Sequence, residues 1–268
     1  MTKIAYDAKR LVRNTTGLGN YSRTLVNDLS RTLPEACEML LYTPSYGREN
    51  LREQVNMSQR MRYVYPKSAK SGIAQAIWRS WGIVRDLKKD GVSLYHGLSG
   101  ELPIGIRKSG IKSVVTIHDL IFMRHPEYYN PIDVMMYRAK FHLTCREADR
   151  IIAISRRTAE DIVELGGVNP KRIDIIYQSC GVRFANVVSE EAADETRRRY
   201  NLPERFVLNV GTIEERKNIL LAVKALQLLP EEISLVVVGR PTPYCDMVKE
   251  YVKKNAMEHR VKFLHGVP

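Results

Sequence analysis

Two histidines follow predicted strands, and one of them is the main candidate for contact with a substrate. His118 comes directly after the apolar run 113–117 and precedes Asp119. A histidine at the carboxyl end of a parallel strand lies at the edge where α/β sheets bind ligands, and its ring can donate to a sugar hydroxyl or a phosphate oxygen. His96 follows another short strand in the same way. The alternative is a structural histidine bonded to the neighbouring Asp119.

A pair of glycines lies in the loop after the first predicted strand, which ends near Asp7. Gly17 and Gly19 open a predicted helix. Glycines let backbone amides approach a ligand, and a helix N-terminus favours negative charge, so a phosphate fits there. Two glycines alone indicate a phosphate site only weakly, and the alternative is an ordinary glycine turn.

A second phosphate candidate lies between a strand and a helix late in the chain. Gly211 and Thr212 are followed by Arg216, Lys217 and Asn218. Lys217 can act as a point charge, and Arg216 can contact two oxygens of one diphosphate. A solvent-exposed charge cluster is the alternative. A Walker A loop is excluded, because the G-x-x-x-x-G-K spacing is absent.

Spacing also excludes two other kinds of site. Ser99 stands in G-x-S-G rather than G-x-S-x-G, which is one residue too short for the nucleophile elbow of a serine hydrolase. The four cysteines contain no C-x-x-C pair, so neither a zinc knuckle nor a redox pair is indicated. They are interpreted as isolated thiols of a reducing compartment.

Short β-branched runs alternate with amphipathic segments, which predicts an α/β fold of parallel sheets covered by helices. The predicted strands are residues 3–6, 39–42, 62–65, 93–96, 113–117, 150–154, 174–177, 206–210, 233–238 and 261–264. The main predicted helices are residues 20–32, 130–147, 155–164, 217–229 and 244–255.

The alternation breaks for roughly 25 residues after Tyr177 and then restarts. We therefore expect two Rossmann-like domains, residues 1–180 and residues 181–268, with Gly181 and the charged segment 190–200 in the connection. The second domain has only three predicted strands, and the chain stops at Gly266-Val267-Pro268. A sheet that small leaves its edges uncovered, so the chain is expected to be a fragment. Two such domains predict a ligand cleft between the carboxyl ends of their sheets.

The charge balance predicts an anionic partner. Lys and Arg total 42 against 30 Asp and Glu, a net charge of +12, and most of the excess lies in residues 1–180. No nucleic-acid-binding module or aromatic stacking pattern accompanies it, so we expect no nucleic acid partner. The N-terminus has no apolar leader and no apolar run reaches the length of a spanning helix, so a cytoplasmic location is expected.

In this order and spacing, the motifs resemble the retaining GT-B-fold glycosyltransferases of the group 1, or family 4, type. The resemblance runs through the whole chain. It rests on residues 17–21, 96–103, 114–120, 152–161 and 210–218. Gly-Thr followed by Arg-Lys-Asn is similar to the branch often assigned as mannosyltransferases of surface-polysaccharide assembly.

The resemblance implies a role for each motif. Gly17 and Gly19 would lie against the donor diphosphate or the acceptor, and His118 would face the transferred sugar. Lys217 would neutralise the leaving diphosphate, with Arg216 or Thr212 assisting. Gly211 and Asn218 belong to the same donor loop, and further residues expected at the substrate edge are Asp7, His96, Asp119, Ser155 and Gly266.

The resemblance also implies what the reaction needs. Cationic side chains and helix dipoles would stabilise the leaving group, so no metal and no cofactor are expected. The donor would be a GDP- or UDP-linked sugar. The departing phosphate would accept the acceptor's proton in a front-face displacement, so no carboxylate nucleophile is nominated.

Two features depart from the family pattern. Many relatives have Arg where this chain has Thr212, so the phosphate charge is expected to depend more on Lys217 and Arg216. The family's Glu-seven-residues-Glu motif is missing and is expected beyond Pro268. The chain would then lack half of its donor pocket, and the sequence leaves open whether such a fragment is active even where its parent is.

A stripe at helical spacing gives the acid-free stretch 54–85 two interpretations. The stripe consists of Ile73, Ile77, Trp81 and Val84. It can pack a helix onto its own sheet, or it can rest on anionic lipid. The residues placed around it are Trp78, Lys67, Lys70, Arg79 and Arg85.

The sequence therefore predicts a cytoplasmic, membrane-peripheral hexosyltransferase. It would move a hexose, such as mannose, from a nucleotide sugar to a saccharide or lipid-linked saccharide acceptor. A nucleotide-sugar 2-epimerase, which shares the two-sheet architecture, and a non-catalytic nucleotide-sugar-binding protein are the alternatives.

Overall fold

The computed structural model describes residues 1–67, 71–181 and 184–267. Contacts divide the chain into two compact units, Met1–Val182 and Arg183–Pro268. Each unit is built on its own parallel sheet. This confirms the predicted α/β class with two Rossmann-like units, the class of the GT-B glycosyltransferases.

The first unit contains a seven-stranded parallel sheet with the order β3-β2-β1-β4-β5-β6-β7. Its strands are β1 (Thr2–Asp7), β2 (Cys37–Tyr42), β3 (Met61–Val64), β4 (Leu94–Gly97), β5 (Lys112–Ile117), β6 (Arg150–Ala153) and β7 (Ile173–Ile175). All seven strands predicted for this half of the chain are present. The strand order reverses at β1, so the loops after β1 and β4 diverge at their carboxyl ends, where ligands of such sheets bind.

Helices cover both faces of this sheet. They are α1 (Lys9–Arg13), α2 (Gly17–Thr32), α3 (Glu49–Arg52), α4 (Gly72–Ile77), α5 (Ile83–Lys89), α6 (Ile121–Arg124), α7 (Pro131–Glu147) and α8 (Arg156–Gly166). Successive strand residues point to opposite faces, so Ala5 and Leu40 pack in one buried cluster while Tyr6 and Leu41 pack in the other. Asn130 caps α7 and Ser155 caps α8 through their side chains, as their sequence positions predict.

A π-helical turn, Trp78–Gly82, separates α4 from α5. The four residues of the stripe that the sequence places on this helix lie in α4, in this turn and in α5. Ile73, Ile77 and Trp81 are 77%, 53% and 55% exposed. Only Val84 of the four packs partly against the core. Of the two interpretations, the one in which the stripe packs the helix onto the sheet is therefore wrong.

Trp78 replaces the stripe in the core. It is 8% exposed, and Ile83 and Leu87 are buried in the same cluster. Trp78 and Ile83 are five residues apart, the spacing of a π turn, which an α-helical projection assigns to different faces. Of the basic residues placed around the stripe, Lys67 and Arg85 are exposed, and Lys70 lies outside the described residues.

The second unit has a three-stranded parallel sheet with the order β10-β9-β8. The strands are β8 (Arg205–Val210), β9 (Ile233–Val238) and β10 (Val261–Leu264), and the helices are α9 (Glu190–Tyr200), α10 (Ile219–Leu226) and α11 (Pro243–Lys254). The charged segment expected in the connection is the helix α9, capped by Ser189. α10 begins at Ile219 rather than at the predicted Lys217, because Asn218 takes a left-handed conformation (φ 48°) and caps it.

Among the described residues, none of the helices has both the length and the apolar composition needed to cross a bilayer.

Candidate functional site

A cavity of about 210 Å³ opens beside the ends of β4 and β5 in the first unit. One wall is aromatic, formed by Phe122, Tyr137 and Phe141. The polar lining comes from Arg10, Glu101, His118, Asp119 and Lys140. An apolar wall facing a few polar groups is the usual design of a small-molecule site, and it suits the apolar face and the hydroxyls of a sugar ring.

Both ring nitrogens of His118 are hydrogen-bonded. Nε2 lies 2.9 Å from the carbonyl oxygen of Leu98, and Nδ1 lies 2.8 Å from the side-chain amide nitrogen of Gln178. The Tyr21 ring meets the imidazole edge-on, with 4.6 Å between ring centroids. Burial lowers the pKa of His118, against smaller raising effects from the Leu98 carbonyl and Asp119. The ring is therefore neutral near pH 7.

His96 lies beneath this site and is buried. Its Nε2 is 2.9 Å from the Thr116 hydroxyl, which is in turn 3.0 Å from the Tyr21 hydroxyl. Burial lowers the pKa of His96 to about 4. His96 is thus connected to the Tyr21 side chain through the Thr116 hydroxyl, and it does not line the cavity.

A buried ion network joins Asp7 to the cavity. Asp7 is 2% exposed, and Arg79 Nε lies 3.3 and 3.1 Å from its two carboxylate oxygens. The other side of the guanidinium donates to Glu101, which is also 3.3 Å from the Lys140 ammonium. Burial alone would raise the pKa of Glu101, but Arg79 and Lys140 bring it to about 2. Arg79 therefore points inward, and its placement among the cations around the stripe is wrong.

The two glycines of the first loop have different surroundings. A Cβ on Gly19 would lie 1.9 Å from the Asn14 carbonyl oxygen, whereas a Cβ on Gly17 would meet nothing within 4 Å. Buried Arg23 fastens the same loop by donating to the carbonyls of Leu11 and Asn14. Gly19 is thus required by packing.

The start of α2 keeps two backbone donors open. In the described part of the chain, the amides of Gly17 and Leu18 have no hydrogen-bond partner, and those of Gly19 and Asn20 donate to the Thr16 carbonyl. Leu18 also lines the cavity. These amides are oriented as at any helix N-terminus and suit a negatively charged or hydroxyl oxygen.

Two further predicted residues lie near His118. Asp119 is exposed in the cavity wall, and its carboxylate accepts from the Ile121 amide. Ser155 accepts from the Thr158 amide, and the Thr158 hydroxyl donates to the His118 carbonyl at 3.2 Å. Ser155 therefore fixes the backbone of His118 through the first turn of α8.

The predicted phosphate loop of the second unit contains an internal counter-ion. Arg216 lies 2.7 Å from Glu214, and Lys217 lies 4.0 Å from the same carboxylate oxygen. Gly211 has φ 148°, and a Cβ there would be 2.5 Å from the Lys217 ammonium. The cation thus lies directly over the glycine. A diphosphate bound by these cations would compete with Glu214.

The remaining predicted residues frame this loop. Thr212 is half-buried beside Gly211, Asn218 accepts from the Leu221 amide as the cap of α10, and Gly266 has φ 66° after β10. A Cβ on Gly239, at the end of β9, would lie 1.7 Å from the Gly211 carbonyl oxygen. The close approach of the two loops therefore requires a glycine at position 239.

The structure groups the predicted residues by unit. His118 and Asp119 line the cavity, and Asp7 joins it through Arg79 and Glu101. Gly211, Thr212, Arg216, Lys217 and Asn218 form one loop of the second unit. Within residues 1–67, 71–181 and 184–267, no group of three or more His, Cys, Asp or Glu side chains could hold a metal ion.

A family comparison assigns the chain. Residues 22–180, more than half of the sequence and all within the first unit, match the family model described as Glycosyltransferase Family 4. The chain belongs to Glycosyltransferase Family 4.

Two relatives from Escherichia coli that this family 4 chain resembles are named as mannosyltransferases. It is 31% identical to the serotype-specific mannosyltransferase WbdA over 147 residues, 53% of this chain and 18% of WbdA. It therefore spans less than a fifth of that relative's length. It is 25% identical to the O-antigen chain mannosyltransferase B over 292 aligned positions, 99% of this chain and 71% of the relative.

A solved structure shows the same fold. Anabaena Alr3699/HepE, in complex with UDP and glucose, superposes with a TM-score of 0.66 at 15% identity, covering 100% of this family 4 chain and 70% of HepE. At that identity the likeness concerns the fold alone.

Several residues of the site were not found by sequence reasoning. Lys140 and Gln178 contact the cavity or His118 from distant positions, and no local pattern marks them. Glu101 lies within the 96–103 motif, but no pattern there distinguishes it from its neighbours. Arg23 lies in α2, a helix that the sequence predicts. An arginine among the buried positions of that helix is the sequence feature that indicates its role.

Proposed function

We propose that this chain takes part in the transfer of a hexose, mannose in the first place, from a GDP- or UDP-linked donor to a saccharide or lipid-linked saccharide acceptor. The observation that carries the proposal is the cavity in which neutral His118 faces an aromatic wall and the ionised Glu101. Family membership and the two mannosyltransferase relatives support the choice of reaction and of sugar.

The state of His118 indicates its part in this reaction. A lowered pKa makes the ring a poor reservoir for a proton, while a neutral ring can accept a hydrogen bond from a sugar hydroxyl. We assign His118 to orienting the transferred sugar. The proton released by the acceptor hydroxyl goes to an oxygen of the departing phosphate.

The bond changes follow the front-face course implied by the family. The bond between the anomeric carbon and the phosphate oxygen breaks, and the acceptor oxygen bonds to the same face of that carbon, which retains its configuration. Lys217 and Arg216 stabilise the negative charge on the departing diphosphate. Glu214 holds these cations in place before the donor binds.

Transfer and nucleotide binding can be measured separately in the full protein that the natural gene encodes. We expect sugar transfer from at least one member of a GDP- and UDP-sugar panel, and Lys217→Ala to weaken nucleotide binding by about tenfold or more, as for the loss of one charged contact. Lys253→Ala, an exposed lysine of α11, is the matched control. Absence of transfer with every donor and unchanged binding in Lys217→Ala would refute the proposal.

An incubation without acceptor tests the epimerase alternative. If that sample contains epimerised nucleotide sugar, the protein is an epimerase and the transferase proposal is wrong. If the protein binds nucleotide sugar tightly but turns none over, it is a non-catalytic binding protein and the transferase proposal is wrong.

We also propose that the exposed stripe residues rest on the anionic inner face of the cytoplasmic membrane. Ile77 and Trp81 are more than half exposed, and the basic residues Lys67 and Arg85, which precede and follow them in the sequence, are exposed too. An apolar helix face bordered by cations binds anionic interfaces. Trp81→Glu should reduce co-sedimentation with phosphatidylglycerol vesicles, and Leu228→Glu, equally a change of an exposed apolar residue, should not. Equal binding of both variants would exclude this surface.

A further inference from the structure

Gln178, which contacts the His118 ring, belongs to the segment that leads out of the first unit. It lies three residues beyond β7, and its side chain is exposed, whereas the ring it contacts is partly buried. The two residues are 60 positions apart in the chain. The contact is thus a tertiary one between the ends of two strand–loop segments.

The hydrogen bonds determine which ring nitrogen carries the proton. The Leu98 carbonyl can only accept, so Nε2 of His118 must donate to it. In a neutral ring Nδ1 then has a lone pair, and the Gln178 amide donates to it. The ring is held in one tautomer, with its second nitrogen ready to accept.

We propose that Gln178 is a positioning residue for His118. Its side-chain amide keeps Nδ1 of His118 unprotonated, and a sugar hydroxyl replaces the amide as the donor to Nδ1 when substrate binds. An amide N–H and a hydroxyl are both neutral donors, so the exchange preserves the hydrogen bond to Nδ1 at little net cost. The statement about the hydroxyl rests on the proposed function. The statement about the tautomer does not depend on it.

The charged and titratable groups around the ring come from five elements or loops. Asp119 follows β5, Glu101 follows β4, Arg10 lies on α1, Lys140 lies on α7, and Tyr21 lies on α2. Glu101 and Lys140 pair with each other, and Asp119 favours the protonated ring. Donation by Gln178 to Nδ1 opposes that effect, since a hydrogen bond to the neutral form disfavours protonation.

The test is an NMR titration of the histidine rings in the full protein, with His118 assigned by the signal lost in His118→Asn. We expect Nε2 to carry the proton at neutral pH. Gln178→Glu should raise the His118 titration midpoint by about one pH unit, because a carboxylate accepts from a protonated Nδ1. Gln178→Ala should raise it less. A wild-type ring protonated on Nδ1 would overturn the proposal.

Ser179→Asp is the matched control, since it adds the same charge one residue further along. A rise as large as that of Gln178→Glu would show a general field effect and overturn the assignment. Where transfer is measurable, the acidic limb of kcat/KM should move with the NMR midpoint in Gln178→Glu, and an unmoved limb would refute the exchange with substrate. Failure to find any donor would leave the NMR result standing and refute only the proposed function.

Discussion

Arg79 donates to the carboxylate of Asp7, 72 residues earlier in the chain, from within the π-helical turn. The side chains are 12% and 2% exposed. The pair connects the end of the first strand to Glu101 and so to the cavity wall. A helix irregularity, a buried carboxylate and the candidate sugar site are thereby parts of one arrangement.

Removal of the guanidinium should destabilise the first unit. Arg79→Met leaves the buried Asp7 carboxylate without its salt-bridge partner, which costs about 3–5 kcal/mol of unfolding free energy. Both tryptophans of the chain, Trp78 and Trp81, lie next to Arg79, so their fluorescence during urea unfolding reports on this unit. Arg85→Met, at an 85% exposed side chain, is the control and should change little. If the double variant Asp7→Asn/Arg79→Met regains unfolding free energy, the charge left on Asp7 is the cause of the loss.

Truncation of the two tryptophans should change the unfolding free energy to very different extents. Trp78 is buried and donates to Asp86 at 2.7 Å, so Trp78→Ala should lower the unfolding free energy by about 3–5 kcal/mol. Trp81 is mostly exposed, and Trp81→Ala should stay within about 0.5 kcal/mol of the wild type. Urea denaturation followed by circular dichroism compares them. Equal losses would show that Trp81 also packs in a core.

The two glycines of the first loop should differ in how much an alanine substitution destabilises the protein. Gly19→Ala forces the added methyl group against the Asn14 carbonyl and should distort the loop, at about 1–3 kcal/mol. Gly17→Ala has open space at the start of α2 and should be neutral or slightly stabilising. Thermal unfolding of the two variants side by side provides the measurement. A tolerated Gly19→Ala would mean that the loop can move away from Asn14.

Acid should destabilise the first unit through His96. The ordinary histidine pKa of 6.5 falls to about 4 in the folded protein, so below pH 6.5 the unfolded chain binds a proton that the folded chain does not. The unfolding free energy therefore falls as the pH drops from about 7 to about 4, by roughly 3 kcal/mol for this group. His96→Gln should flatten that dependence in urea titrations at several pH values. A slope unchanged by the substitution would assign the acid sensitivity to other groups.

The strands could be predicted because their information is local. Residues 113–117 and 233–238 are short β-branched runs, and the observed β5 and β9 cover them. The caps at Asn130 and Ser155 are local in the same sense, since each side chain bonds an amide two or three residues away. Neither feature depends on a distant part of the chain.

The orientation of residues 73–84 could not be predicted from periodicity. The projection assumes 3.6 residues per turn throughout, and the π turn breaks that assumption at Trp78. A projection at that period puts Trp78 and Ile83, which share the core, on different faces, and it gives no reason for Arg79 to point inward. The partners that turn Arg79 inward, Asp7 and Glu101, are far from it in sequence.

The site was predictable only where residue type and strand end coincide. His118 follows a strand and lines the cavity as expected. Gln178 and Lys140 reach the same place from β7 and α7, and only the strand order brings them there. Glu214 lies next to the two cations in sequence, but its role as their counter-ion depends on the turn that precedes α10.

The π turn between α4 and α5 is equivalent to one inserted residue in an otherwise α-helical segment. In a homologue without the insertion, the helix would keep a single phase, and the position of Arg79 would turn away from the end of β1. An acidic residue at the position of Asp7 would then have lost its counter-ion. We therefore expect the insertion and the acidic residue to be inherited together, with a one-residue gap inside 78–82 wherever both are missing.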